Sequence, residues 1–229
     1  IDIGMNTEAT KQIREIFESS DYDEMRPKPL SLIKLLISLR SNKNSTVLDF
    51  FAGTGTTGQA VMQLNKEDGG NRRFILCTNN ENNICTEVCY PRIKKVISGY
   101  SKYPGLKENL KYFKTSFVDA ESTDSNKKKL VDKSTEMLCL KEDCFNKVKD
   151  GHEFKIFKNS QDKYLSIIYD DEGIDEFMKE VKKLKQRFVV YIFSLDESAR
   201  EEEFEDVTNM VKLKPIPAVI LNVYKKIFR

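Results

Sequence analysis

The sequence predicts an α/β protein in two parts, and three observations carry that expectation. A short apolar run with one acid, Val47–Phe51, reads as a buried parallel strand and leads through a glycine turn into helix formers over Gln59–Leu64. A second apolar run, Phe74–Thr78, reads as another strand after a polar, glycine-containing loop over Asn65–Arg73. Beyond a polar stretch, the aromatic and β-branched runs Phe154–Phe157, Tyr164–Tyr169 and Phe188–Phe193 read as the strands of a second, smaller α/β domain. The expected boundaries are residues 1–116 for the first domain, 117–135 for a linker or mobile loop, and 136–229 for the second.

Composition bounds the rest. A chain of 229 residues with 39% hydrophobic and 32% charged residues is able to bury a core and stay in solution. Its net charge of +2 sets up no overall field for nucleic acid, so any such contact must be local. No apolar run reaches the roughly 18 residues of a membrane span, and no signal peptide opens the chain. The start, Ile1-Asp2-Ile3-Gly4, lacks methionine and reads as part of a longer protein. Cys77, Cys85, Cys89, Cys139 and Cys144 form no C-x-x-C pair, which suits reduced thiols in a cytoplasmic protein and no metal.

In chain order, Asn6 is placed to cap a helix with Ala9, Ile13, Ile16 and Phe17 on one face. Ser19–Met25 is a polar connection, and Pro29 suits the start of a helix over Leu30–Leu39. Thr86–Ile97 reads as a helix in which Pro91 either kinks the run or starts a new segment. Arg92, Lys94, Lys95, Lys102, Lys107, Lys111 and Lys114, with Tyr100, Tyr103 and Tyr112 among them, form either a surface for DNA phosphates or a solvated basic face. Asp119–Ser134 is poor in hydrophobic residues and reads as the linker. Ile174–Lys185 is an amphipathic helix whose opening acids, Asp170, Asp171 and Glu172, suit capping better than metal binding. His152 lies in a turn with no evident partner. The acidic run Asp196–Asp206 reads as a solvated helix face or loop, and a closing helix spans Ala218–Phe228.

The glycine turn carries the chemistry. Gly53, Gly55 and Gly58 match G-x-G-x-x-G, whose glycines let a backbone approach a ligand closely. Asp49, at the strand end, argues against a dinucleotide because its carboxylate would repel a pyrophosphate. It suits a ligand with a cationic end and no phosphate, and S-adenosylmethionine is such a ligand. Glu81, at the carboxyl end of the second strand, is placed to accept hydrogen bonds from ribose hydroxyls.

The motif Asp49–Gly58, D-F-F-A-G-T-G-T-T-G, resembles the F-x-G-x-G cofactor motif of the amino-DNA methyltransferases. Arg26–Leu30, Phe74–Glu81, Arg92–Tyr100, Thr135–Asp143 and Ile216–Phe228 further resemble the modification subunits of type III restriction–modification systems. The resemblance implies a Rossmann-like S-adenosylmethionine-dependent methyltransferase half-domain. It implies cofactor contacts from Lys28, Pro29, Asp49, Phe50, Phe51, Ala52, Gly53, Thr54, Gly55, Thr57 and Glu81. Partners implied for the full-length protein are DNA, a restriction subunit and a second copy of itself.

The catalytic D/N/S-P-P-Y/F motif of that family is absent, because none of the six prolines are adjacent. No cysteine follows a proline either, so a Pro-Cys cytosine C5 nucleophile is missing too. The order in which the catalytic motif and target-recognition region precede the cofactor motif accounts for this. The expectation is then a carboxyl half, without catalytic residues of its own, of an adenine-N6 methyltransferase, adenine being implied by the resemblance alone. Two alternatives stay open: a non-enzymatic assembly module with a degenerate cofactor pocket, and a nicotinamide oxidoreductase.

Overall fold

The computed structural model describes residues 6–22, 25–106, 108–119, 121–193 and 201–228. The chain divides into two compact units, one ending at Lys114 and the other starting at Thr115.

In the first unit, α1 (Asn6–Phe17) buries Ala9, Ile13 and Ile16, and α2 (Leu30–Arg40) begins directly after Pro29. Two strands, β1 (Thr46–Asp49) and β2 (Arg73–Leu76), pair in parallel with Asp49 opposite Leu76. They are joined through α3 (Thr56–Asp68), whose Ala60, Val61 and Leu64 pack with Ile37, Val47 and Phe74. The sequence places β1 over Val47–Phe51 as a buried strand, and the structure corrects this. The strand ends at Asp49, Leu48 is 49% and Ile75 44% exposed, and Phe50 and Phe51 lie in the turn beyond. Helix α3 also runs further than expected. Asn65 exchanges hydrogen bonds with the Arg72 backbone, and Asp68 receives both guanidinium ends of Arg72, so these polar residues close the helix end.

After β2, a short turn (Glu81–Asn83) and a π-helical turn (Ile84–Cys89) lead into α4 (Tyr90–Ser98). Pro91 falls in the first turn of α4, where a missing N–H is tolerated, so it starts a segment. A small hairpin follows, β3 (Gly99–Tyr100) and β4 (Tyr103–Pro104).

The second unit is a five-stranded sheet of β5 (Asn146–Asp150), β6 (Phe154–Lys158), β7 (Tyr164–Ile168), β8 (Phe188–Ile192) and β9 (Val211–Leu213), in that order. The first three strands are antiparallel neighbours and the last three parallel. Helices α5 (Asp124–Glu142) and α7 (Ala218–Phe228) share one core with Phe157, Leu165, Ile167 and Tyr191. Helix α6 (Ile174–Leu184) shares another with Phe154, Ile156 and Phe188. Helix α5 overturns the linker expected over 117–135. Leu130, Ser134 and Leu138 are buried at helical spacing, and Thr123 accepts a hydrogen bond from the Asn126 N–H at 3.2 Å as the cap. A single narrow buried line is enough for a helix with tertiary support, however polar the rest.

Asp170 caps the turn before α6 by accepting from the Glu172 N–H at 3.1 Å, the role expected of that acidic cluster. The expected acidic stretch from Asp196 lies outside the described residues as far as Arg200. Its remainder falls in a short helical segment, Glu201–Val207, that buries Phe204 and Val207. Among the described residues, no group of side chains is arranged to hold a metal, and no helix is long and apolar enough to cross a membrane.

Candidate functional site

Hydrogen bonding continues past the tips of β1 and β2 and holds the two following loops side by side. The Cys77 N–H donates to the Asp49 carbonyl at 2.8 Å, and the Ala52 N–H donates to the Cys77 carbonyl at 3.0 Å. The glycine turn therefore sits beside the Asn79–Asn83 loop at the carboxyl edge of the sheet, the edge at which open α/β sheets take ligands.

Within the turn, Gly53 and Gly55 have φ of 50° and 79°, values that side-chain-bearing residues rarely adopt. The three glycines do different work. A Cβ on Gly53 would meet only the Phe51 carbonyl at 3.8 Å, so this residue borders open space. One on Gly55 would press on Cys89 Sγ at 3.0 Å, and one on Gly58 on Ile93 Cδ1 at 2.8 Å and Leu76 Cδ1 at 3.0 Å. Gly53 thus borders open space, whereas the missing side chains of Gly55 and Gly58 also admit the packing of the π-helical turn and α4. No side chain caps the start of α3, so its N-terminal dipole and first N–H groups remain for other partners.

The other expected residues fall into three settings. Asp49 is half-buried; its Oδ1 accepts from the Phe51 N–H at 3.0 Å and its Oδ2 from Thr57 Oγ1 at 2.6 Å, so it also braces the turn. Phe50 and Phe51 are 65% and 93% exposed, while Ala52 and Thr54 are buried. Glu81 is exposed beside this edge, and its side chain and N–H bond Asn79 within its loop. That loop contains Asn80, Asn82 and Asn83 in left-handed conformations, which asparagine tolerates best after glycine. Asn80 Oδ1 then receives the N–H groups of Cys85 and Thr86 at 2.9 and 3.0 Å, which starts the π-helical turn. Lys28 is exposed and Pro29 buried at the head of α2, which is connected to α3 by the packing of Leu30, Ile33 and Ile37.

Sequence reasoning misplaced Arg92. Offered as one of a set of surface cations for DNA, it is fully buried, and its guanidinium bonds Gln59, Thr54 and Thr56 behind the glycine turn. Its signal was available: Cys89, Arg92, Ile93 and Val96 share one helical face, and the other three are core residues. Of the remaining expected cations, Lys94, Lys95 and Lys102 lie over the rings of Tyr90, Phe17 and Tyr103 respectively, and Lys107 is outside the described residues.

Strand, glycine turn, helix and a following parallel strand, with an acid on the loop beyond it, make a βαβ unit. Residues 6–88 match the family described as DNA methylase. The chain is 51% identical over 76 residues to the type III restriction-modification enzyme StyLTI Mod subunit of Salmonella typhimurium, covering 33% of this chain and 11% of that protein. It is 41% identical over 73 residues to the EcoPI Mod subunit of Escherichia phage P1, covering 32% and 11% respectively. To the type II methyltransferase M.KpnI of Klebsiella pneumoniae it is 36% identical over 112 residues, covering 48% of this chain and 25% of the relative. The chain thus spans a quarter or less of each of these proteins.

Proposed function

We propose that the first unit is the S-adenosylmethionine-binding half of a Rossmann-like methyltransferase domain, and that the whole protein is a site-specific DNA adenine-N6 methyltransferase of a type III restriction–modification system. The observation that carries this reading is the open space at Gly53, bordered by the carboxylate of Asp49 and the uncapped start of α3, with exposed Glu81 on the adjoining loop. A zwitterionic nucleoside ligand without phosphates fits that donor and acceptor set. Asp49 keeps lone pairs for its ammonium, the first N–H groups of α3 face its carboxylate, and Glu81 accepts from its ribose. When bound, the cofactor supplies the methyl group, and the residues of this chain hold and orient it.

The bare sheet supports the half-domain reading. Two parallel strands with Leu48 and Ile75 half exposed do not make an independent sheet, and exposed Phe50 and Phe51 extend the apolar surface. The segment with the D-P-P-Y-type motif and the target-recognition region is the proposed cover. DNA, a restriction subunit and a second copy of the full-length protein are the proposed partners, in the cytoplasm.

Binding of S-adenosylmethionine, S-adenosylhomocysteine and NAD is the first test, with the two adenosyl ligands bound and NAD rejected. Radiolabelled methyl transfer to adenine-containing duplex DNA is the second. The 229-residue chain is expected to transfer nothing by itself and to regain activity with a separately expressed segment carrying the catalytic motif, because a held donor lowers no barrier without its acceptor. Transfer by this chain alone, above a Gly53→Val control, overturns the divided-site reading. Failure to bind either adenosyl ligand points instead to an assembly module with a degenerate pocket.

A further inference from the structure

Arg92 is a fully buried cation with no carboxylate partner among the described residues. Its Nε donates to Gln59 Oε1 at 3.0 Å. Nη1 donates to Thr54 Oγ1 at 3.0 Å, the Thr54 carbonyl at 3.3 Å and Thr56 Oγ1 at 2.9 Å, and Nη2 donates to Gln12 Oε1 at 3.4 Å. Every acceptor is neutral. The adjacent ionisable groups do not neutralise it either: burial pushes the Cys89 thiol up to about 12 and raises the Tyr100 hydroxyl, so both are uncharged near neutrality. Burial lowers Arg92 itself only to about 10, so it stays charged.

A buried unpaired charge is costly and is retained where something repays it. The arrangement here costs further, since committing Gln59 Oε1 to Arg92 leaves the buried Gln59 Nε2 without a partner of good geometry. All of the hydrogen bonds but the one to α1 converge on the glycine turn and the first residues of α3. Because guanidinium only donates, Thr54 Oγ1 and Thr56 Oγ1 must accept from it. The two hydroxyls lie 3.4 Å apart, so one proton is able to serve their mutual contact and the other is left to donate elsewhere. The positive charge of Arg92 and the positive end of α3 therefore add behind the same turn.

We infer that Arg92 is a positioning residue whose uncompensated guanidinium holds the glycine turn through Thr54 and Thr56 and serves as the remote counter-charge for the carboxylate of an amino-acid-bearing nucleoside. This rests on the cofactor reading above and adds to it which end of the ligand the buried charge favours. The carboxylate need not touch Arg92. Because Arg92 itself is buried and away from water, its charge behind one layer of polarised hydroxyls still acts at the turn.

The test compares two ligands that differ in one group: S-adenosylhomocysteine and its decarboxylated analogue, which keeps the ammonium, sulfur and adenosine. Calorimetric affinities are taken for the chain and for Arg92→Gln, Arg92→Lys and Thr56→Val. Arg92→Gln is expected to weaken S-adenosylhomocysteine about tenfold or more and the analogue less than about threefold, with Arg92→Lys recovering part of the difference. Equal loss for both ligands overturns the inference and leaves Arg92 as a structural brace, and no loss for either overturns it outright. If Arg92→Gln does not fold by circular dichroism, Thr56→Val decides: a loss confined to S-adenosylhomocysteine supports the relay, and an equal or absent loss overturns it. Failure of the unaltered chain to bind S-adenosylhomocysteine sinks the cofactor reading and this inference together, whereas ligand-blind variants sink the inference alone.

Discussion

Thr57 Oγ1 donates a hydrogen bond to Asp49 Oδ2 at 2.6 Å, tying the first turn of α3 to the end of β1. With the Phe51 N–H on its other oxygen, Asp49 holds the shape of the turn, and on the proposed reading it also faces the ligand's ammonium. The two duties are separable by mutation. Asp49→Asn keeps a group able to bond in the turn but removes the charge, and S-adenosylmethionine binding is expected to weaken by roughly 1.5–3 kcal/mol. Thr57→Val removes one brace and leaves the charge, for an expected loss of about 1 kcal/mol or less. Isothermal titration of both variants checks this, and equal effects would assign Asp49 to the turn alone.

The glycines have different surroundings, open at Gly53 and packed at Gly58. Gly53→Val is expected to abolish measurable cofactor binding, because a side chain at φ 50° is strained and occupies the open space. Gly58→Ala is expected to act on stability, by about 1–3 kcal/mol, since its methyl group would meet Ile93 and Leu76 at 3.0 Å or less. Thermal unfolding read beside ligand titration distinguishes the two. A Gly58→Ala chain of unchanged stability would show that α4 gives way easily.

On the proposed reading, Glu81 accepts hydrogen bonds from the ligand's ribose. Glu81→Gln is expected to weaken S-adenosylmethionine and S-adenosylhomocysteine equally, by about 1–2 kcal/mol, because both present the same ribose. A loss confined to one of them would place Glu81 near the sulfur instead.

Glu142, at the end of α5, gives the second unit a pH dependence. Its side chain is 3% exposed, and it accepts from Lys163 Nζ at 2.8 Å, Lys214 Nζ at 2.7 Å and the Tyr191 hydroxyl at 2.6 Å. Burial alone pushes this carboxyl up, but the hydrogen bonds from Lys163, Lys214 and Tyr191 outweigh it and bring it down to about 2. A carboxylate depressed in the folded state stabilises above its ordinary value of 4.5, and that contribution fades as pH falls from there towards about 2. Glu142→Gln is expected to cost about 2–3 kcal/mol at neutral pH, since the two lysines keep some access to water, and to flatten the acid limb. Urea unfolding at pH 7 and pH 3 measures both, and an unchanged acid limb would remove Glu142 as its source.

Local sequence by itself determined the elements whose pattern and function coincide. Alternation of apolar and helix-forming residues placed α1, α2, α6, α7 and the inner strands β6, β7 and β8, because each buries a face wide enough to repeat in the text. The glycine turn was legible because only glycine takes those backbone angles cheaply. Tertiary structure decided the rest. The edge strands β5 and β9 draw their stability from neighbours, and N-K-V-K-D carries almost no pattern of its own. Helix α5 exists because a sheet face lies ready for Leu130, Ser134 and Leu138. Nothing in the glycine motif shows that Cys89 and Ile93, distant in sequence, pack beside Gly55 and Gly58. Arg92 read as a surface cation because charge is a property of the residue, while burial is a property of what folds around it. Only the meeting of α1, α3 and α4 shows that its hydrogen bonds are satisfied by Gln12, Thr54, Thr56 and Gln59, from two separate stretches of the unit.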